Sequence, residues 1–180
     1  MILNKYSSAD ASPTSLHLSG VDLQIMRRGT GRPILFLHPD IGLTPDLPVL
    51  DLLAARGQLI APSHPGFMGS SLPRHFSTVD DLAYFYLDLL EMLDLSHVLV
   101  VASSFGAWIA AEMAIKTCER LSHLVLAGPV GIKIGEPFES AVVDMFATDM
   151  DEFRQLAYAD RKSTRLNSSH SRASRMPSSA

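Results

Sequence analysis

A mostly parallel α/β sheet flanked by helices is predicted by three features of this 180-residue chain. Short apolar runs rich in Val, Ile and Leu recur between Pro33 and Ala127, stretches with helical spacing separate them, and glycine and proline clusters close each unit. Strands alternating with helices join through right-handed crossovers, which makes neighbours parallel and gathers functional loops beyond the strands' carboxyl ends.

Residues 1–15 carry Ser, Asp and Pro without period and read as a loose leader. Residues 16–26 alternate apolar and polar around Gly20, the pattern of a hairpin with one wet face. A turn through Gly29 and Gly31 leads to residues 33–37, a continuous apolar run that reads as a central strand. The loop His38-Pro39-Asp40-Ile41-Gly42 follows. Residues 44–56 read as a helix with Leu47, Leu50, Leu53 and Ala54 on one face and Gly57 as its stop. Residues 59–61 form a brief strand, and the prolines and glycines of residues 62–70 forbid regular structure. Residues 79–95 read as an amphipathic helix capped by Ser77 or Thr78, with Leu82, Tyr86, Leu89 and Leu93 inward. Residues 123–127 are the next strand, closed by Gly128-Pro129; residues 138–159 have helical spacing.

The chemistry is carried by residues 97–115, H-V-L-V-V-A-S-S-F-G-A-W-I-A-A-E-M-A-I. Val98 to Val101 suit a strand buried on both faces, and Ala107 to Ile115 are good helix formers. Ser104 falls at the change of direction. A serine on so sharp a turn has its hydroxyl pushed outward, and the Phe105 amide after it lies at a helix N-terminus that favours negative charge. The turn requires small residues two before and two after, here Ala102 and Gly106. Taken alone, the pattern reads better as a serine capping a helix, with Ser103 or Ser104 satisfying backbone amides.

It does not stand alone. L-F-L-H-P-D, H-P-G-F-M-G-S-S, A-S-S-F-G-A-W and A-G-P-V-G-I end four successive strands, and as an ordered set they resemble the α/β-hydrolase fold family over about residues 16–159. The resemblance implies a partial α/β-hydrolase fold: a core over residues 16–131, the start of a helical cap over 132–159, and the last core strands missing. It implies Ser104 as nucleophile, the backbone amides of Asp40 and Phe105 as an oxyanion hole, and His38 as a loop-organising residue rather than the base. Pro39 stands where the family has glycine, and the Asp40 side chain is expected to point away from the oxyanion. The family's triad acid and histidine come from strands after the cap, and neither is in this chain, so the chain itself is expected to be inactive. A non-catalytic ligand-binding member of the same fold is the alternative. A nucleotide-binding domain would need a glycine-rich phosphate loop after its first strand, which H-P-D-I-G is not.

Residues 160–180 are poor in apolar side chains and without period. Residues 160–170 resemble the translation of a sequencing-library adapter, and residues 174–180 its continuation, so this tail is read as non-native and disordered. Without it ten Lys+Arg face eighteen Asp+Glu, which removes the only basic cluster and with it a nucleic-acid partner. One cysteine, Cys118, permits no internal disulfide, and the N-terminus lacks the apolar core of a signal peptide. The expectation is a cytoplasmic enzyme with a small-molecule substrate, no membrane contact, no cofactor and no metal. Trp108, one turn beyond Ser104, is expected in the core or on a pocket wall.

Overall fold

Residues 14–131, 148–149 and 151–152 are described by the computed structural model. The first stretch folds as β1 (Thr14–Leu18), β2 (Val21–Arg28), β3 (Pro33–Leu37), α1 (Pro48–Ala54), β4 (Gln58–Pro62), α2 (Val79–Met92), β5 (Val98–Ser103), α3 (Phe105–Lys116) and β6 (Leu121–Ala127). The order in the sheet is β1-β2-β4-β3-β5-β6. β1 pairs antiparallel with β2 and β2 antiparallel with β4, while β4, β3, β5 and β6 are mutually parallel. This is the mostly parallel sheet with helices that the alternating pattern predicts, entered through a hairpin.

That hairpin turns through Ser19 and Gly20, both at positive φ, as a two-residue turn joining twisted strands requires. β1 begins at Thr14, inside the stretch read as leader. α1 is shorter than the expected residues 44–56. Pro48 sits in its first turn, and a proline drives the residue before it out of helical geometry; Leu47 is accordingly extended at φ −61°, ψ 119°. α2 begins where Thr78 and Asp81 form a reciprocal capping box.

The apolar residues divide between the sheet's two faces. One cluster joins Leu23, Ile25, Leu35, Leu37, Val98, Val100 and Ala102 to Leu82, Phe85, Tyr86, Leu89 and Leu90 of α2 and Ile109 and Met113 of α3. The other joins Met26, Ile34, Phe36 and Leu59 to Leu50 of α1. Each such side chain contributes about 1.5–3 kcal/mol on burial. The ion pair from Lys116 to Asp80 at 2.6 Å lies at the surface, where water and salt screen it, so apolar packing rather than charge holds α2 and α3 down. β5 departs from the expected burial on both faces: Val98, Val100 and Ala102 are sealed, whereas Leu99 and Val101 are half-buried on the side of short α1.

The chain divides into two units, Met1–Ile132 and Lys133–Ala180. The leader before Thr14, the adapter-like tail and the cap helices expected over residues 138–159 lie outside the described residues, except at 148–149 and 151–152. There, residues 151 and 152 are helical and the Asp151 amide donates to Asp149 Oδ1 at 2.9 Å.

Candidate active site

Three strand ends set the position of Ser104. The register aligns Leu37 with Ala102 and Ser103 with Ala127, so the chain leaves β3, β5 and β6 side by side. At the end of β5 it bends sharply: Ser104 has φ 50° and ψ −115°. For a residue with a Cβ this conformation costs about 1–3 kcal/mol and persists only where its surroundings impose it. Here the Ser104 amide donates to the Ala127 carbonyl at 3.0 Å, and the Ser104 carbonyl accepts from the amides of Ala107 and Trp108 at 3.1 and 3.2 Å as α3 begins.

The small residues flanking the bend have separate reasons. Gly106 lies so close to β3 that a Cβ there would overlap the Leu37 carbonyl oxygen and stand 2.6 Å from the His38 carbonyl oxygen. Ala102 is buried in the core between sheet and helices. Trp108 is half-buried against Gly131, where any Cβ would overlap the indole.

The Ser104 hydroxyl makes no cap to α3. Oγ instead donates to Asp40 Oδ1 at 2.9 Å. The expectation that the Asp40 side chain points away is therefore corrected. The cause is local: the Gly42 amide donates to the Pro39 carbonyl at 3.0 Å, closing a turn in which Gly42 takes φ +94° and Asp40 holds the second position. The amide of Asp40 belongs to this turn, and the amide of Phe105 opens α3, where the first turn leaves donors free of helical partners.

Behind the bend lies a buried polar network that the sequence did not reveal. His38 and His64 are fully buried with ring centroids 3.8 Å apart. His38 Nε2 accepts the His64 amide at 2.9 Å, so His38 carries its proton on Nδ1 and donates it to the Pro39 carbonyl at 2.6 Å. His64 Nε2 donates to the His38 carbonyl at 2.9 Å, which leaves Nδ1 to accept from the Tyr86 hydroxyl at 2.5 Å. Every ring nitrogen is used and both rings are neutral. Burial holds His38 below the usual imidazole range, against the Pro39 carbonyl's opposing pull. Burial, reinforced by His38, lowers His64 to about 3. Burial raises the Tyr86 hydroxyl well above its ordinary range, so it stays a donor. The one signal for this network was Tyr86 on the inward face of α2, since a buried tyrosine hydroxyl needs a partner.

Phe105 places its ring edge-on to His64 at 5.6 Å and roughly parallel to Phe67 at 6.4 Å. These two rings, with Pro65, Leu72, Phe76, Val79 and Leu82, line an apolar cleft of about 310 Å³. A second cleft of about 330 Å³ lies between Met26, Leu43 and Met68. Neither includes Ser104, and the first adjoins it through Phe105. Among the described residues no group of three or more His, Cys, Asp or Glu side chains could hold a metal ion. Among them, too, no helix is long and apolar enough to cross a membrane. Cys118 is exposed beyond α3, its thiol donating to the Ala114 carbonyl at 3.3 Å.

Comparison with known proteins gives a consistent assignment. The 2-hydroxy-6-oxo-2,4-heptadienoate hydrolase of Pseudomonas putida is 27% identical over 185 residues, covering 88% of this chain and 65% of its own. The 1-acylglycerol-3-phosphate O-acyltransferase of Arabidopsis thaliana is 35% identical over 86 residues, covering 45% of this chain and 21% of its own. The chain thus spans less than two thirds of the length of either relative. Among solved structures, an alpha/beta hydrolase fold protein from Burkholderia ambifaria superposes with a TM-score of 0.61 at 20% identity, over 74% of this chain and 50% of that one. The model of the alpha/beta hydrolase family matches residues 34–177, and the chain belongs to that family.

Proposed function

We propose that the chain is the N-terminal part of a serine-dependent hydrolase that opens a small-molecule ester or carbon–carbon bond through an acyl-enzyme. Ser104 is the nucleophile, and the amides of Asp40 and Phe105 receive the charge that develops on the carbonyl oxygen. The observation that carries this reading is the left-handed bend at Ser104, which turns Oγ away from the helix it precedes and into the loop after β3. Strain of that kind in a residue other than glycine is kept where geometry matters more than stability.

In the whole enzyme the Oγ–C bond forms as the family's triad histidine takes the Oγ proton, the carbonyl oxygen becomes negative opposite the two amides, the bond to the leaving group breaks as that proton passes to it, and water later releases the acyl group by the same route. Ala102 and Gly106 let the bend close, and His38 organises the loop that carries Asp40. The apolar cleft beside Phe105 accepts hydrocarbon from the substrate. Serine chemistry needs neither metal nor cofactor. A cytoplasmic location and a small-molecule partner, with no nucleic acid or membrane, fit the acidic composition of residues 1–159.

Steady turnover by this chain is expected to be absent. A serine without a histidine base retains only what binding and the oxyanion donors provide, and both histidines near the bend have their nitrogens engaged. That same observation favours the second reading, a ligand-binding member of the fold without turnover. A fluorophosphonate probe with peptide mapping tests the assignment. Ser104 should carry the label and Ser104→Ala should lose it, while hydrolysis of a nitrophenyl ester stays at the Ser104→Ala background. Undiminished labelling of Ser104→Ala removes Ser104 from the mechanism, and steady ester turnover that Ser104→Ala abolishes refutes the inactive-fragment reading.

A further inference from the structure

The pleat of β2 and β4 fixes which side chains share a face. Ile25 stands opposite Pro62 and Met26 opposite Ala61, so one step further Gln24 meets Ser63, whose amide donates to the Gln24 carbonyl at 2.8 Å. Alternation along each strand puts Gln24, Met26, Ala61 and Ser63 on the α1 side of the sheet, the side opposite Phe105.

The backbones of Gln24 and Ser63 are fully employed there. The Ser70 hydroxyl donates to the Ser63 carbonyl at 2.8 Å and accepts the Gln24 amide at 3.0 Å. Their side chains are not. Ser63 is only 6% exposed, yet among the described residues neither its hydroxyl nor the Gln24 carboxamide has a hydrogen-bond partner. Neither group is sealed in the core; both residues line the cleft of about 330 Å³ whose walls are Met26, Leu43, Pro45 and Met68. Met68 holds its backbone at φ 43°, a strained setting for a residue with a Cβ, and lies close enough to Gly42 that a Cβ there would touch its Cγ at 3.6 Å. Its side chain is still 59% exposed, so a thioether stands at the rim with one side open. No charged side chain lines the cleft. Arg28 reaches its edge, but that guanidinium is committed to the Pro45 carbonyl at 2.8 Å and to Asp51 at 2.7 Å.

We propose that this cleft is a binding site for a neutral primary amide carried on a single aromatic ring. The Gln24 carboxamide and the ligand's amide pair reciprocally, each N–H on the other's carbonyl, and the Ser63 hydroxyl donates to the second lone pair of the ligand's oxygen. The sulfurs of Met26 and Met68 favour an aromatic body, and two polar groups at the end of apolar walls fix its orientation. A carboxylate head finds no free cation among the lining residues. A bare hydrocarbon covers the Ser63 hydroxyl and leaves it unpaired, which is costly. The site makes no use of Ser104 and stands whether or not that serine is a nucleophile.

Methionine-methyl NMR spectra of the 180-residue chain test this by titration with benzamide, with Met26 and Met68 assigned through Met26→Leu and Met68→Leu. Benzamide should shift both methyl signals saturably in the millimolar range, and toluene and benzoate should bind roughly tenfold more weakly. Ser63→Ala and Gln24→Leu, shown to be folded by circular dichroism, should each lose roughly tenfold in affinity for benzamide, while Ser104→Ala should bind it as wild type does. Toluene or benzoate binding as tightly as benzamide, unchanged affinity in either cleft variant, or no saturable shift at Met26 and Met68 overturns the site. Should a cleft variant fail to fold, the three ligands on wild type decide alone.

Discussion

His64 illustrates how a single buried side chain can carry a pH dependence. In the unfolded chain its imidazole takes a proton near pH 6.5, whereas burial and the adjacent His38 hold it at about 3 in the folded protein. Between those values the unfolded chain binds more protons than the folded one, so stability is fully present above about pH 6.5 and is lost as pH falls toward 3. The slope reaches about 1.4 kcal/mol per pH unit for one histidine. The urea midpoint should therefore drop between pH 7 and pH 5, above the range where carboxylates dominate, and an unchanged midpoint across that interval would show His64 to be protonated in the native state. At this scale the sequence was legible in part. The bend at Ser104 was legible only through the ordered set of four loop motifs, since a serine between Ala102 and Gly106 taken alone suits a helix cap. The aim of the Asp40 carboxylate was not legible, since it depends on the turn closed by Gly42, and neither was the pairing of His38 with His64, which joins two loops distant in the chain.

Where elements meet, the close approach of α3 to β3 is the tightest constraint. Gly106 is required by contact with backbone carbonyls of Leu37 and His38, atoms that cannot swing aside. Gly106→Ala should cost roughly 1–3 kcal/mol by overpacking and should displace the bend, seen as a lower thermal midpoint together with loss of Ser104 labelling. A variant as stable and as reactive as wild type would mean that the helix start can slide. Elements with a local start signal were readable: α2 begins at Thr78, where the hydroxyl and Asp81 cap each other. α1 was overextended because the spacing of its leucines ran past Pro48, and proline geometry overrides hydrophobic spacing. The half-burial of one face of β5 is not legible in the sequence, because its own residues do not announce how much a neighbouring helix covers.

Across the molecule, the sheet order places β6 at one end, with Leu124 37% and Val125 49% exposed. Among the described residues no strand pairs with its outer edge, and an apolar strand in that position can offer amides and carbonyls to a second chain. Val125→Lys should lower self-association in light scattering at matched concentration while changing stability by no more than about 0.5 kcal/mol; scattering that does not fall would assign association to another surface. The alternation of strands and helices made the parallel core readable from Pro33 onward, because crossover handedness leaves few arrangements for that pattern. One link noted at the bend acquires a wider meaning here. The Ser104 amide hangs on the carbonyl of Ala127, the final residue of β6. The bend is thus held twice over to an outer strand of the sheet and the loop after it, since the Val130 amide also donates to the Ser104 carbonyl at 3.4 Å, and a displacement of that rim would carry the serine with it.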